Sequence, residues 1–160
     1  MSGGITGTDL DNGYYMIPHW THIVIHHSFT QDGKTVSWDD IRRFHMTDPA
    51  YMFNDIGYNG GIELIDNEYI VLAGRPLNVK GAHCKEEGMN SKAIGFCFVG
   101  NYDLIAPPIT MLVKGASYIK GLMDIFGIIP ANVRGHRDYA TYKSCPGRKF
   151  DMSIFRDLLR

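Results

Sequence analysis

Apolar and polar positions along this chain follow two periods, and the switches between them mark its elements. His22-Ile23-Val24-Ile25-His26 is a short β-branched run, the pattern of a buried strand. Ser37 is a helix N-cap candidate: acidic Asp39 and Asp40 follow in the first turn, then Ile41, Phe44 and His45 at helical spacing. Gly60-Gly61 opens a second strand through Ile65, Asp66-Asn67 makes a turn, and Tyr69 to Leu72 returns as a hairpin. Ala93 to Val99 is another apolar strand, ended by Gly100-Asn101. After Pro107-Pro108, apolar residues from Ile109 to Phe126 keep helical spacing until Gly127 closes the pattern. Val133 and its neighbours read as a short extended segment, and a last helix is predicted over 152–159. Strands interleaved with helices predict a single-domain α/β fold, a mixed central β-sheet flanked by α-helices. Residues 1–20 read as an N-terminal arm, and 21–160 as the folded domain.

Composition narrows the class. The 160 residues suit one domain, and a formal net charge of -1 exerts no global pull toward nucleic acid or an anionic membrane. No apolar run reaches spanning length, so no stable membrane association is expected. The start has neither a basic n-region nor an apolar h-region, which predicts cytoplasmic synthesis without a signal peptide. Three cysteines, Cys84, Cys97 and Cys145, argue against a disulfide framework.

Two places offer metal donors. One is His26 or His27 at the end of the first strand; the other is Arg134-Gly135-His136-Arg137-Asp138 with Lys143-Ser144-Cys145-Pro146-Gly147 downstream. A strand-end His with His136 and Cys145 makes a three-ligand set whose fourth position is left for water, the arrangement of a catalytic zinc. Side chains alternate across a strand, so His26 and His27 do not both reach one ion, and spacing does not choose between them.

The same residues resemble a known family. Thr21 to Ser28, Asp55-Ile56-Gly57-Tyr58-Asn59, Gly74-Arg75, Gly81-Ala82-His83, Asn90 to Gly95, Gly135-His136-Arg137-Asp138 and Cys145-Pro146-Gly147 occur in that order. This is similar to the type 2 amidase family, which includes phage amidase endolysins and peptidoglycan-recognition proteins, over about residues 21–158. The resemblance implies His26, His136 and Cys145 as ligands of one Zn2+ per chain, and Tyr58 and Lys143 as catalytic residues. A Lys two residues before the Cys is a feature of small phage endolysins, and Lys143 holds that place. It also implies Arg75, His83 and Asn59 as substrate-binding residues: Arg75 and His83 match groove-lining positions, and Asn59 stands beside Tyr58 where many relatives have His. Some cytosolic recycling amidases carry Glu where this chain has Cys97, which shifts weight to Tyr58 and Lys143.

What the resemblance implies is hydrolysis of the amide between N-acetylmuramic acid and L-alanine in peptidoglycan, by a monomer with the wall or its muropeptides as partner. A phage or prophage endolysin, reaching the wall after release, is the leading expectation. The alternatives are a cytosolic muropeptide-recycling amidase and a noncatalytic peptidoglycan-binding module, whose known examples replace the Cys-position ligand.

Overall fold

The computed structural model describes residues 18–31 and 36–160. Its elements are β1 (His22–His27), α1 (Trp38–Thr47), β2 (Gly60–Ile65), β3 (Glu68–Ala73), α2 (Met89–Lys92), β4 (Ala93–Phe98), α3 (Ile109–Phe126), β5 (Val133–Gly135) and α4 (Met152–Asp157). The expected N-terminal arm lies outside the described residues through position 17. At its end Trp20 is core, with its indole N–H donating to the Leu77 carbonyl at 2.9 Å.

The local signals work as their chemistry requires. Ser37 and Asp40 close a reciprocal capping box on α1. Asp66 and Asn67 both have positive φ, 49° and 65°, which sets the two-residue turn between β2 and β3. Gly127 caps α3 with φ of 68°, and its N–H bonds the Met123 carbonyl.

The five strands lie in the order β3-β2-β4-β1-β5. β1 pairs in parallel with both β4 and β5, β2 runs parallel to β4, and β3 is antiparallel to β2. The sheet is therefore mixed, as the α/β reading expects. Alternation then sorts the two faces. Ile23 and Ile25 of β1, with Ile94, Phe96 and Phe98 of β4, join α3 and α4 in the main core. The other face carries Val24, His26, Gly95 and Cys97, and α1 packs there through Trp38 and Ile41. Gly61 admits the Trp38 ring, which a Cβ at that position would meet at 2.3 Å. His26 is thus next to last in a strand buried from Ile23 onward, on the face opposite α3.

Candidate metal centre and its cavity

β1 turns its two histidines to opposite sides. The His27 ring faces the Tyr102 side, where its Nδ1 accepts from the Tyr102 N–H at 3.2 Å. The His26 ring points the other way, 4.7 Å from His136 between centroids. Cys145 Sγ lies 3.5 Å from His26 Nδ1, and donor atoms of His26, His136 and Cys145 all fall within 4.8 Å of one another.

Two different elements deliver the other donors. β5 ends at Gly135, and His136 opens a short 3-10 turn directly after it. Cys145 sits in an irregular loop held by the preceding turn. The Arg137 N–H donates to the Cys145 carbonyl at 2.7 Å, and its guanidinium donates to the carbonyls of Ser144, Gly147 and Phe150. Asp103 braces the same loop by accepting from Ser144 Oγ and the Arg148 N–H.

Electrostatics at this point suit a soft cation. Burial holds the His26 imidazole well below its ordinary pKa, and the neighbouring His83, His136 and Lys143 push the same way. Burial also lowers His136, again with Lys143 adding to the effect. Both rings are therefore neutral near pH 7, as ligands must be. Burial pushes the Cys145 thiol up to about 12, against a backbone hydrogen bond at His27 and the charge of Lys143. Such a thiol keeps its proton unless a cation replaces it. One thiolate and two imidazoles are a zinc-type donor set, so the residues present fit the ion that the resemblance implies.

Behind His26 the packing is polar and closed. Its Nε2 lies 2.9 Å from His83 Nδ1, and His83 Nε2 lies 3.2 Å from the Ala93 carbonyl oxygen. Behind His136 it is looser. Glu86 Oε2 stands 3.5 Å from His136 Nε2, and among the described residues that nitrogen has no closer hydrogen-bond partner. The Tyr142 hydroxyl donates to Glu86 at 2.6 Å and holds that carboxyl down to about 2.

A cavity of about 740 Å³ opens over the three donors. One wall is aromatic: Phe44, His45, Tyr51, Phe53 and Tyr58 form a chain of ring contacts between 5.4 and 5.7 Å. The helical spacing of Phe44 suggested an inward face, yet its ring is half exposed on this wall. The opposite wall is Tyr142, Lys143, Ser144 and Cys145. Tyr58 leans on His26 with centroids 5.2 Å apart. Burial raises its phenol well above the ordinary value, as does a hydrogen bond to Cys97, so the hydroxyl keeps its proton. Lys143 is exposed, with Nζ 5.9 Å from the centre of the Tyr142 ring.

Five of the eight residues singled out in the sequence converge here: His26, His136, Cys145, Tyr58 and Lys143. His83 touches the cavity but is mostly spent on His26 and Ala93. Arg75 and Asn59 do not line it. The Arg75 guanidinium donates to the carbonyls of Ile56, Lys80 and Asp55. Asn59 is buried, with Oδ1 accepting from the Gly95 N–H and Nδ2 donating to the Val79 carbonyl. Both side chains consume their polar atoms in tying loops together. The sequence reading passed over Glu86 and the aromatic wall. Glu86 lies two residues from a cysteine and three from a histidine, a local signal that its fold neighbours alone make meaningful.

Residues 17–148 match the N-acetylmuramoyl-L-alanine amidase family. The chain is 30% identical over 131 residues to the endolysin of Enterobacteria phage K11, covering 80% of each protein. It shares its fold with N-acetylmuramoyl-L-alanine amidase LysC from Clostridium intestinale URNW: TM-score 0.72 at 22% identity, over 91% of this chain and 88% of that one. A variant of Drosophila PGRP-LB, solved in complex with tracheal cytotoxin, gives a TM-score of 0.68 at 28% identity, over 84% of this chain and 79% of that one.

Proposed function

This chain belongs to the N-acetylmuramoyl-L-alanine amidase family, and from that premise we propose that it hydrolyses the amide between N-acetylmuramic acid and L-alanine in peptidoglycan, with one zinc ion held by His26, His136 and Cys145. The observation that carries the reading is the convergence of those three donors at the floor of an open cavity. A zinc ion held there would supply Lewis acidity for a carbonyl and would lower the pKa of water to about 7.

The chain's own residues supply the rest. The thiolate of Cys145 reduces the positive charge available to a developing oxyanion. Lys143, on the same wall, restores positive field and has donors to offer that oxygen. Tyr58 stays a protonated phenol beside His26, so it acts as a hydrogen-bond donor rather than a base. The leaving amine needs a proton, and we assign its supply to Tyr58 and Lys143 among the lining groups. The aromatic wall offers apolar surface for sugar and peptide. The recognition-protein relative solved with tracheal cytotoxin supports muropeptide as the substrate class.

An endolysin role is supported by the phage K11 relative and by the placement of Lys143. No helix among the described residues is long and apolar enough to cross a membrane. Recognition without cleavage is the second reading, favoured by relatives named as peptidoglycan-recognition proteins.

The test combines zinc content of the purified protein with release of new amino groups from purified cell wall. One zinc per chain, with release abolished by chelation and restored by zinc, is the expected result. Absence of the ion and no gain from adding it would sink the hydrolase reading. Zinc and muropeptide binding without amine release would favour recognition. Cleavage of intact sacculi rather than soluble fragments separates an endolysin from a recycling enzyme.

A further inference from the structure

We propose that His83 is a positioning residue: through one hydrogen-bonded chain it fixes the proton of His26 on Nε2 and leaves His26 Nδ1 bare toward Cys145. The role in metal binding rests on the proposed zinc site; the proton arrangement does not.

The argument begins at a carbonyl. The Ala93 oxygen has only lone pairs, so His83 Nε2, 3.2 Å away, must bring the hydrogen. His83 is buried, and burial disfavours a charged imidazole, so the ring is neutral and carries one N–H. With that hydrogen on Nε2, His83 Nδ1 is an acceptor. Its partner at 2.9 Å, His26 Nε2, must then be the donor. His26 is buried too, and the same cost of burying charge keeps it neutral, so its remaining nitrogen has a free lone pair. That nitrogen, Nδ1, is the atom 3.5 Å from Cys145 Sγ. Each proton position follows from the one before it, starting from an atom with no alternative.

The surroundings hold the middle ring in place. A Cβ on Gly95 would lie 2.5 Å from His83 Cδ2, and one on Gly81 would lie 2.3 Å from it. The ring therefore fills a slot with a glycine on each wall. The slot itself is tied down. Asn90 Oδ1 accepts from the N–H groups of His83 and Cys84, at 2.7 and 2.8 Å. Asn59 Oδ1 accepts from the Gly95 N–H at 3.0 Å. These contacts give physical reasons for Gly81, His83, Asn90, Gly95 and Asn59 to stand where they do. A ligand imidazole oriented by an outer hydrogen bond loses about 10- to 100-fold in metal affinity when that partner is removed.

The experiment has a metal-free arm and a zinc arm. In the metal-free native protein, long-range ¹⁵N–¹H spectra of the imidazoles should show both His26 and His83 protonated on Nε2 alone. A proton on Nδ1 of either ring overturns the proposal. In the zinc arm, affinity is read by chelator competition for the native protein, His83→Leu and His83→Gln. His83→Leu should weaken zinc about 10- to 100-fold. His83→Gln keeps one donor and one acceptor in its amide and should stay near native affinity. Native affinity in His83→Leu, or equal loss in both variants, overturns the role. Should His83→Leu fail to fold, Gly95→Ala displaces the ring without removing it, and unchanged affinity there counts equally against the role. A native protein that takes up no zinc while its two rings show the expected protons would sink the proposed function and leave the proton chain standing.

Discussion

The two sides of the candidate metal centre are built by opposite means. On the sheet side, His26 ends a strand paired in parallel on both edges, and a buried ring in a glycine-walled slot takes its outer nitrogen. On the loop side, His136 and Cys145 come from a short turn and an irregular segment, and Nε2 of His136 meets no partner closer than Glu86, at 3.5 Å, among the described residues. The sheet side is buried and closed. The loop side opens onto the cavity and carries its charge, Lys143 above all. A strand gives a donor fixed direction, whereas a loop gives access and lets charge sit near a reacting group. Substitutions on the loop side should separate stability, turnover and metal affinity from one another.

The largest effect is expected at Arg137, because one side chain holds the loop at three carbonyls. Hydrogen bonds from charged donors are worth about 1.5–3 kcal/mol each, and losing several at once leaves carbonyls unpaired. Arg137→Ala should therefore cost about 3 kcal/mol of unfolding free energy and weaken zinc as Cys145 loosens. Denaturant unfolding of the zinc-free protein reads the first effect alone. An unchanged midpoint would mean that the loop holds itself.

Lys143 comes next, and it should act on turnover only. If it donates to the oxyanion, Lys143→Ala lowers amide hydrolysis by about 10² or more with zinc stoichiometry retained. Near-native turnover removes it from the mechanism. Loss of zinc instead would make its charge part of ligand stability, and the contrast between the two sides would blur.

How much of this was legible in the chain differs between fold and site for one reason. Local signals act within a few residues. Ser37 with Asp40, Asp66-Asn67 and Gly127 each completed a turn or cap where it was placed, and the apolar periods found the strands and the long helix. Strand order is set by packing between distant segments, so nothing local disclosed β1 between β4 and β5. The four-residue α2 is too short to leave a period. The resemblance supplied His26 over His27 where alternation alone said only that one of them faces away. It placed His83, Arg75 and Asn59 at a groove without their orientation. The structure turns Arg75 and Asn59 inward because carbonyls and an N–H of neighbouring loops stand ready to take every polar atom they have. Trp20 went unnoticed because the segment before it has no period, and its burial depends on Leu77, far along the chain.

The smallest effects concern Glu86, and they test whether the loop side is as loose as its distances suggest. Glu86 is ionised near neutrality, with the Tyr142 hydroxyl the main cause of its low value of about 2. When His136 uses its other nitrogen as a ligand, Nε2 must carry the ring hydrogen, and the Glu86 carboxylate is the acceptor nearest to it. Glu86→Gln keeps the shape, removes the charge and should weaken zinc by about tenfold, the low end for an outer partner, because 3.5 Å is a long contact. Tyr142→Phe removes a hydrogen bond from Glu86 without removing its charge. Glu86 then titrates higher, toward the ordinary carboxylate range near 4.3, and still stays ionised at pH 7. Zinc affinity at pH 7 should therefore be unchanged in Tyr142→Phe while it falls in Glu86→Gln, both read by chelator competition. Equal losses in the two variants would mean that Tyr142 fixes the position of Glu86 rather than its charge. The loop side would then be as ordered as the sheet side, and the difference between the two histidines would lie in the ring atoms they present, not in how firmly each is held.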